Sequence, residues 1–110
     1  MTTPHKEIRR ITAVVHHSDA MAILKTLQES GVVDGHMATG RSISLEDKKG
    51  FLGIGARSVI VEDPIEIFSF LVSPELEHTV LDIFIRMGRL AIPGRGSIYS
   101  ESISLLKAHQ

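Results

Sequence analysis

The stretch IEIFSFLVSPELEHTVLDIFIRMG, residues 65–88, joins a strand pattern directly to a helix pattern. Residues 65–72 are mostly apolar, which predicts a buried strand. Ser73 follows as a candidate N-cap, and Pro74 suits the first helical position. Apolar side chains then recur at helical spacing as far as Gly88, where the helix is predicted to end.

The same order of features occurs in the first half of the chain. Residues 8–16 predict a mostly buried strand, and Ser18 is the N-cap candidate that follows it. Residues 19–30 have apolar side chains at helical spacing, and Gly31 is placed to end that helix. The two halves therefore predict the same strand-helix unit.

A further strand follows each half, over residues 36–45 and over residues 97–102 with a continuation to Leu106. Pro64 predicts a bend or an edge irregularity in the third extended region, just before residues 65–72. The resulting order, βαββαβ, is that of the ferredoxin-like α+β fold. We therefore expect a single domain in which two helices cover one face of a four-stranded antiparallel sheet.

Apolar side chains occur on both faces of the third predicted strand. Phe68 and Phe70 share one parity, whereas Ile65, Ile67 and Leu71 share the other. Because the helices can cover only one face, the other face needs a different cover. A closed oligomer would supply it.

The chain has 110 residues, of which 43% are hydrophobic and 23% are charged, as in ordinary soluble domains. A net charge of −1 predicts no nucleic-acid partner and at most an indirect association with membranes. The absence of cysteine excludes disulfides and thiolate metal sites. The termini, residues 1–7 and 107–110, are polar, and a cytoplasmic protein without a signal peptide or membrane span is expected.

The segment between the second predicted helix and the last strand contains three glycines and two arginines. Gly88, Gly94 and Gly96 free the backbone, and Arg89 and Arg95 supply guanidinium groups. One interpretation is an anion cradle. The alternative is a helix-to-strand loop with solvated arginines.

Residues 45–57 form a candidate effector loop. Charged and glycine residues surround apolar ones that have no evident core face. The alternatives are a flexible hairpin excursion and a mobile loop that meets a ligand or a protein partner. The residues assigned to partner contact are Lys48, Lys49, Gly50, Phe51, Leu52, Gly53, Ile54 and Gly55.

Catalytic and metal sites are not predicted. No Ser-His-Asp order or nucleophile elbow occurs, and no carboxylate pair shows surroundings suited to acid-base chemistry. His16, His17 and His36 have no cysteine to support a metal site, and structural or surface roles are expected for them. The protein is therefore predicted not to be an enzyme.

Three segments resemble the PII signal-transduction family, the trimeric nitrogen-regulatory proteins P-II and their PII-like relatives. They are Ile-Glu-Ile at residues 65–67, the helix of residues 73–87, and Gly-Arg-Gly-Ser-Ile-Tyr at residues 94–99. The last is similar to the family's Gly-Asp-Gly-Lys-Ile-Phe loop, which cradles nucleotide phosphates. Residues 45–57 correspond in place to the family's T-loop, the effector-binding arm. The resemblance covers most of the chain and implies a divergent member that forms a homotrimer.

The resemblance also implies a nucleotide site between subunits. His36 lies near where family members hold adenine, and Arg41 is expected to face the same cleft. The residues implied for nucleotide binding are Gly88, Arg89, Gly94, Arg95, Gly96, Ser97, His36, Arg41 and Lys107.

Several departures from the family pattern affect the expected ligand. Arg95 stands where the family has aspartate, and Ser97 stands where it has lysine. Lys107 and His109 are the only counterparts of the family's C-terminal arginine pair, and the T-loop region has no tyrosine for modification. ADP or AMP is therefore expected rather than ATP, and the need for magnesium is left open.

The resemblance implies a regulatory protein that binds an adenine nucleotide and reports it through the mobile loop. The implied partner is a transporter or an enzyme, in carbon (bicarbonate) or nitrogen metabolism. The alternative is a ferredoxin-like oligomer with a structural or small-molecule enzymatic role and no nucleotide sensing.

Overall fold

The computed structural model describes residues 5–48 and 57–106, and these residues form the predicted ferredoxin-like fold. The elements are β1 (His5–His16), α1 (His17–Glu29), β2 (His36–Lys48), β3 (Arg57–Val72), α2 (Pro74–Met87) and β4 (Ser97–Leu106). The sheet has the order β2-β3-β1-β4, and each neighbouring pair is antiparallel. The predicted βαββαβ order is confirmed.

The core lies between the sheet and the two helices. Its centre is an aromatic cluster in which the Phe84 ring of α2 lies 5.4 Å from Phe68 and 6.3 Å from Phe70 of β3. Alternating residues of β1 and apolar residues of both helices complete it. The buried side chains around the cluster include Ile11, Ala13, Val15, Ile23, Leu27, Val80 and Ile83.

The start of α1 differs from the prediction that Ser18 is its N-cap. The helix begins at His17, and the N-cap is His16. The His16 ring nitrogen Nδ1 accepts a hydrogen bond from the Ser18 backbone N–H at 3.2 Å. The prediction was wrong because an imidazole nitrogen supplies the acceptor that a serine hydroxyl usually supplies.

Both helices end in a Schellman motif, in which two backbone N–H groups beyond the helix donate to carbonyls of its last turn. The residue in the left-handed conformation differs between the two helices. After α1 this residue is Gly31, with φ of +96°, as predicted. After α2 it is Arg89, with φ of +55°, whereas Gly88 is the C-cap with ordinary helical angles. The predicted N-cap of α2, Ser73, is in place, although its side chain makes no capping hydrogen bond.

The second and third strands are longer than predicted. Pairing continues to Lys48 opposite Arg57, so part of the predicted loop 45–57 belongs to a β-ladder. β3 is also continuous through Pro64, where a bend or an edge irregularity was predicted. Pairing with β1 stops at Ile65, so among the described residues the proline contacts only β2 and does not interrupt a central ladder.

Beyond Gly40 and Ile65 the two strands leave the sheet as a two-stranded ribbon, residues 41–48 and 57–64. The molecule accordingly measures 73 × 29 × 22 Å. The candidate partner residues after Lys48, from Lys49 to Gly55, lie outside the described residues.

The sheet face opposite the helices is apolar and exposed in the single chain. Ile67 is 37% exposed, Leu71 is 48% exposed and Tyr99 is 56% exposed. The alternation predicted for β3 is therefore confirmed, since Phe68 is completely buried on the other face. Several large apolar side chains exposed on one sheet face make it a candidate interaction face.

Glu77 of α2 ties the helix layer to the sheet and should make stability depend on pH. Its Oε2 accepts a hydrogen bond from Arg9 Nε at 2.6 Å and another from the Ser100 hydroxyl. The Ser100 hydrogen bond, followed by Arg9, lowers the pKa of Glu77 below its ordinary value of 4.5. The carboxylate therefore stabilises the fold above the unfolded pKa, and this contribution is lost as the pH falls through the lowered value.

We expect Glu77→Gln to be less stable than the natural chain at neutral pH, with the difference closing as the pH falls below 4.5. Chemical denaturation at a series of pH values measures this. Asp82→Asn is the control, because Asp82 forms only an exposed pair with Arg86 on the same helix. A constant difference between Glu77→Gln and the natural chain across the acid range would contradict the prediction.

Candidate functional site

The loop between α2 and β4 is held in a defined shape by its own backbone. The Ile92 N–H donates to the Arg89 carbonyl at 3.0 Å, and the Arg95 N–H donates to the Ile92 carbonyl at 3.2 Å. Gly94 has φ of +84° and open space where a side chain would be. Gly96 has φ of +150°, and a Cβ there would overlap the Val14 carbonyl oxygen. The loop is therefore fastened to the end of β1 by direct backbone contact.

A small cleft of about 120 Å³ lies where this loop meets the end of β1 and the base of the ribbon. Three of the predicted nucleotide-binding residues, Gly94, Arg95 and Gly96, line it together. The residues that line it from β1 and the ribbon are Val14, His16, Ser42, Asp63 and Ile65.

Arg95 is already engaged within the chain. Its Nη2 donates to Asp19 Oδ2 at 2.8 Å, across the start of α1, and the two side chains are only 27% and 13% exposed. Its Nε is buried and has no hydrogen-bond partner among the described residues. A further acceptor would therefore satisfy a guanidinium donor that the fold leaves open.

Charges around the cleft are mixed. Asp63 lines it from the ribbon and has no ion-pair partner among the side chains that the structure describes. Arg41, predicted to face the same cleft as His36, lies at the ribbon base and lines neither cleft; it extends to Glu62, with 3.4 Å between Nη1 and Oε2. The Arg41 side chain is 74% exposed. Arg95 and Asp63 thus line the space as residues of opposite charge.

His36 lies elsewhere, in a wider cleft of about 590 Å³ between the second half of α1 and the start of β2. Along β2 it is about 13 Å from Gly40, at 3.3 Å per residue, so within one chain it does not meet Arg95. The apolar side chains of this wider cleft are Met21, Leu24, Leu27, Val32, Val33, Met37 and Phe70. Its polar side chains are Lys25, Gln28, Asp34 and His36.

The other predicted binding residues occupy several places. Gly88 is buried at the end of α2, and Arg89 is exposed and does not line the small cleft. Ser97 is the first residue of β4, beside the cleft and paired with Val14. Lys107 lies outside the described residues.

The inference from sequence missed the buried carboxylate of Glu66, which is 3% exposed at the foot of the ribbon. It accepts hydrogen bonds from the Thr39 hydroxyl, at 2.8 Å to one oxygen and 2.9 Å to the other. His17 Nδ1 lies 3.3 Å away. The sequence pattern could have predicted that Glu66 is buried, because alternation along β3 puts Glu66 on the same face as Phe68.

Neither a metal cluster nor a membrane-spanning helix occurs within residues 5–48 and 57–106. In these ranges no group of three or more His, Cys, Asp or Glu side chains is placed to hold a metal ion. Neither α1 nor α2 is long and apolar enough to cross a membrane.

Solved structures with the same fold are PII-like proteins. GlnK from B. subtilis in complex with ATP matches with a TM-score of 0.72 and 16% identity, over 88% of this chain and 84% of that one. CPII, a nitrogen regulatory PII-like protein from Thiomonas intermedia K12 bound to ADP, AMP and bicarbonate, matches with a TM-score of 0.62 and 12% identity. That match covers 96% of this chain and all of CPII, 100%. The chain therefore has the PII fold, and the predicted resemblance is confirmed at the level of fold.

No model of a known protein family matches the chain, and no curated protein matches it.

Proposed function

We propose that this chain is a divergent PII-type regulator, not an enzyme, which acts in the cytoplasm. It binds an adenine nucleotide between the subunits of a homotrimer and reports it to a protein partner, a transporter or an enzyme. The observation that carries the proposal is the cleft in which the Gly94–Gly96 loop meets the base of the β2–β3 ribbon. A ligand in that cleft touches the element that the resemblance assigns to signalling.

The loop has the chemistry of a phosphate site. Gly94 leaves the backbone open to close approach, and Arg95 brings a positively charged side chain to the lining of the cleft. Solved structures of the same fold contain ATP in GlnK and ADP, AMP and bicarbonate in CPII. These neighbours support an adenine nucleotide as the ligand. The preference for ADP or AMP over ATP is part of the proposal and comes from the departures from the family pattern at Arg95 and Ser97.

Two clefts of different character on one chain support a site shared between subunits. The small cleft, about 120 Å³, is below the range of roughly 300–1,000 Å³ typical of ligand pockets. The wider cleft is mostly apolar, and His36 at its edge can stack on a purine or hydrogen-bond to it. A nucleotide that uses the loop of one subunit for phosphate and the wider cleft of another for adenine has room that neither cleft offers alone.

The ribbon base is the proposed route of communication. Ser42 and Asp63 belong to the ribbon, and they line the same space as the glycine loop. A nucleotide can change the ribbon only by binding one of its arrangements more tightly than another. Carbon or nitrogen metabolism is the setting that the family resemblance suggests.

Calorimetric titration of the full chain with AMP, ADP and ATP tests the proposal. We expect binding, and we expect Arg95→Gln to weaken it by about 1.5–3 kcal/mol, the usual value of a hydrogen bond to a charged group. Arg86→Gln is the matched control, because Arg86 lies on α2 and pairs only with Asp82. Thermal unfolding without ligand checks that the Arg95 variant is folded.

The same titration followed by amide hydrogen exchange tests the signalling part, since nucleotide should slow exchange in residues 47–54. Failure of the natural chain to bind any adenine nucleotide would refute the function. Unchanged affinity in Arg95→Gln would show that Arg95 does not contribute to nucleotide binding. Unchanged hydrogen exchange would show that the ribbon does not respond to the nucleotide.

A further inference from the structure

We infer that Asp19 sets the charge of ligand that the site accepts, so that a nucleoside monophosphate is preferred to a diphosphate and a diphosphate to a triphosphate. The inference rests on the proposed nucleotide site and assigns a specificity-determining role to a residue outside the loop. Asp19 is in the first turn of α1, 76 positions from Arg95 in the chain.

The contact that carries the inference is the ion pair between Asp19 and Arg95. Its 2.8 Å distance and the 13% exposure of the Asp19 side chain make it a close, poorly solvated pair. A phosphate that binds the same guanidinium must share it with this carboxylate. The phosphate oxygens then lie within about 8 Å of a fixed negative charge, a range at which like charges still repel in a partly buried site.

A second carboxylate adds to the repulsion. Asp63 lines the cleft from the ribbon side, and no described cation pairs with it. Of the neighbouring side chains that the structure describes, Arg41 and Glu62 pair with each other, and His16 Nδ1 bonds to Ser18. Two carboxylates therefore oppose one guanidinium, so each further phosphate charge on a ligand raises the cost of binding.

A purely structural role for Asp19 makes a different prediction. If the ion pair only fixed the position of Arg95, its loss would change the affinity of AMP, ADP and ATP by the same factor. A charge-selecting role instead gives an effect that grows with the number of phosphates, because repulsion scales with ligand charge. The dependence on phosphate number therefore separates the two roles.

The test is calorimetric titration of Asp19→Asn with AMP, ADP and ATP in the absence of divalent cations. We expect ATP affinity to rise by about tenfold and AMP affinity by about threefold or less, with ADP between them. Asp63→Asn should change the three nucleotide affinities in the same direction while the ion pair of Arg95 stays intact. It replaces Asp19→Asn as the test if that variant folds poorly. Asp82→Asn removes an equal charge from the far side of α2 and should leave the three affinities unchanged.

An equal change for all three nucleotides, or no change, in Asp19→Asn would overturn the charge-selecting role of Asp19. If Asp19→Asn loses binding, the absence of a graded response in Asp63→Asn would overturn it. In each of these outcomes the natural chain still binds a nucleotide, so the proposed function stands. If the natural chain and every variant bind none of the three, the proposed function fails and this inference fails with it.

Discussion

Replacing Gly96 with alanine is expected to lower the free energy of unfolding by about 3 kcal/mol, which combines backbone strain with a forced displacement in a packed region. The reason is that the alanine Cβ would overlap the Val14 carbonyl oxygen, at a φ of +150°. Backbone atoms cannot rotate away as a side chain can. The loop must therefore separate from β1 or β1 must shift within the sheet.

Gly94→Ala is the matched comparison for Gly96→Ala. Its φ of +84° is also unfavourable for alanine, but no atom lies within 4 Å of the added Cβ. We expect it to cost only about 1 kcal/mol, the strain part alone. Urea denaturation at one fixed protein concentration measures both. Equal losses for the two variants would show that the contact with Val14 is not what fixes Gly96.

Ile67→Glu is expected to convert the proposed trimer to monomers. Ile67 lies on the sheet face opposite the helices, the open face, and is 37% exposed in the single chain. A glutamate at this position can therefore reach solvent without disrupting the core. In an assembly that covers this face, the same carboxylate would be buried without a partner, which is strongly unfavourable. Light scattering coupled to size-exclusion chromatography gives the mass directly.

Ile85→Glu is the control for the open-face variant. Ile85 is 43% exposed on α2, on the helix side of the sheet, so it introduces the same group on a different surface. We expect this variant to keep the mass of the natural protein. A trimer in both variants, or a monomer in the natural chain at micromolar concentration, would show that the open face is not the interface.

The architecture could be predicted because its signals are local. Alternation along β3 and helical spacing in α2 are each carried by fewer than twenty neighbouring residues, and Gly31 and Pro74 mark helix ends by their own backbone preferences. The N-cap of α1 was predicted wrongly because the His16 side chain fills the capping role that the sequence pattern assigned to Ser18. Local signals predict the presence of a helix or strand more reliably than they predict its first residue.

The length of the ribbon was underestimated because composition does not reveal pairing. Charged residues and glycine after Leu45 indicate a loop, whereas the backbone ladder continues to Lys48. The candidate site was predicted only in part for a related reason. Gly94 and Arg95 are neighbours in sequence, but Asp19 reaches Arg95 through the fold alone, which no spacing pattern contains.

The length of the ribbon means that a small rotation at its base moves its far end by a large distance. The β2 side of the ribbon has eight residues, 41–48, and extends about 26 Å at 3.3 Å per residue. A rotation of only about 10° at its base, between Ser42 and Asp63, carries its far end through about 5 Å. If a nucleotide beside the Gly94–Gly96 loop turned the ribbon base in this way, a sub-ångström adjustment there would become a displacement at the far end larger than the width of a side-chain contact.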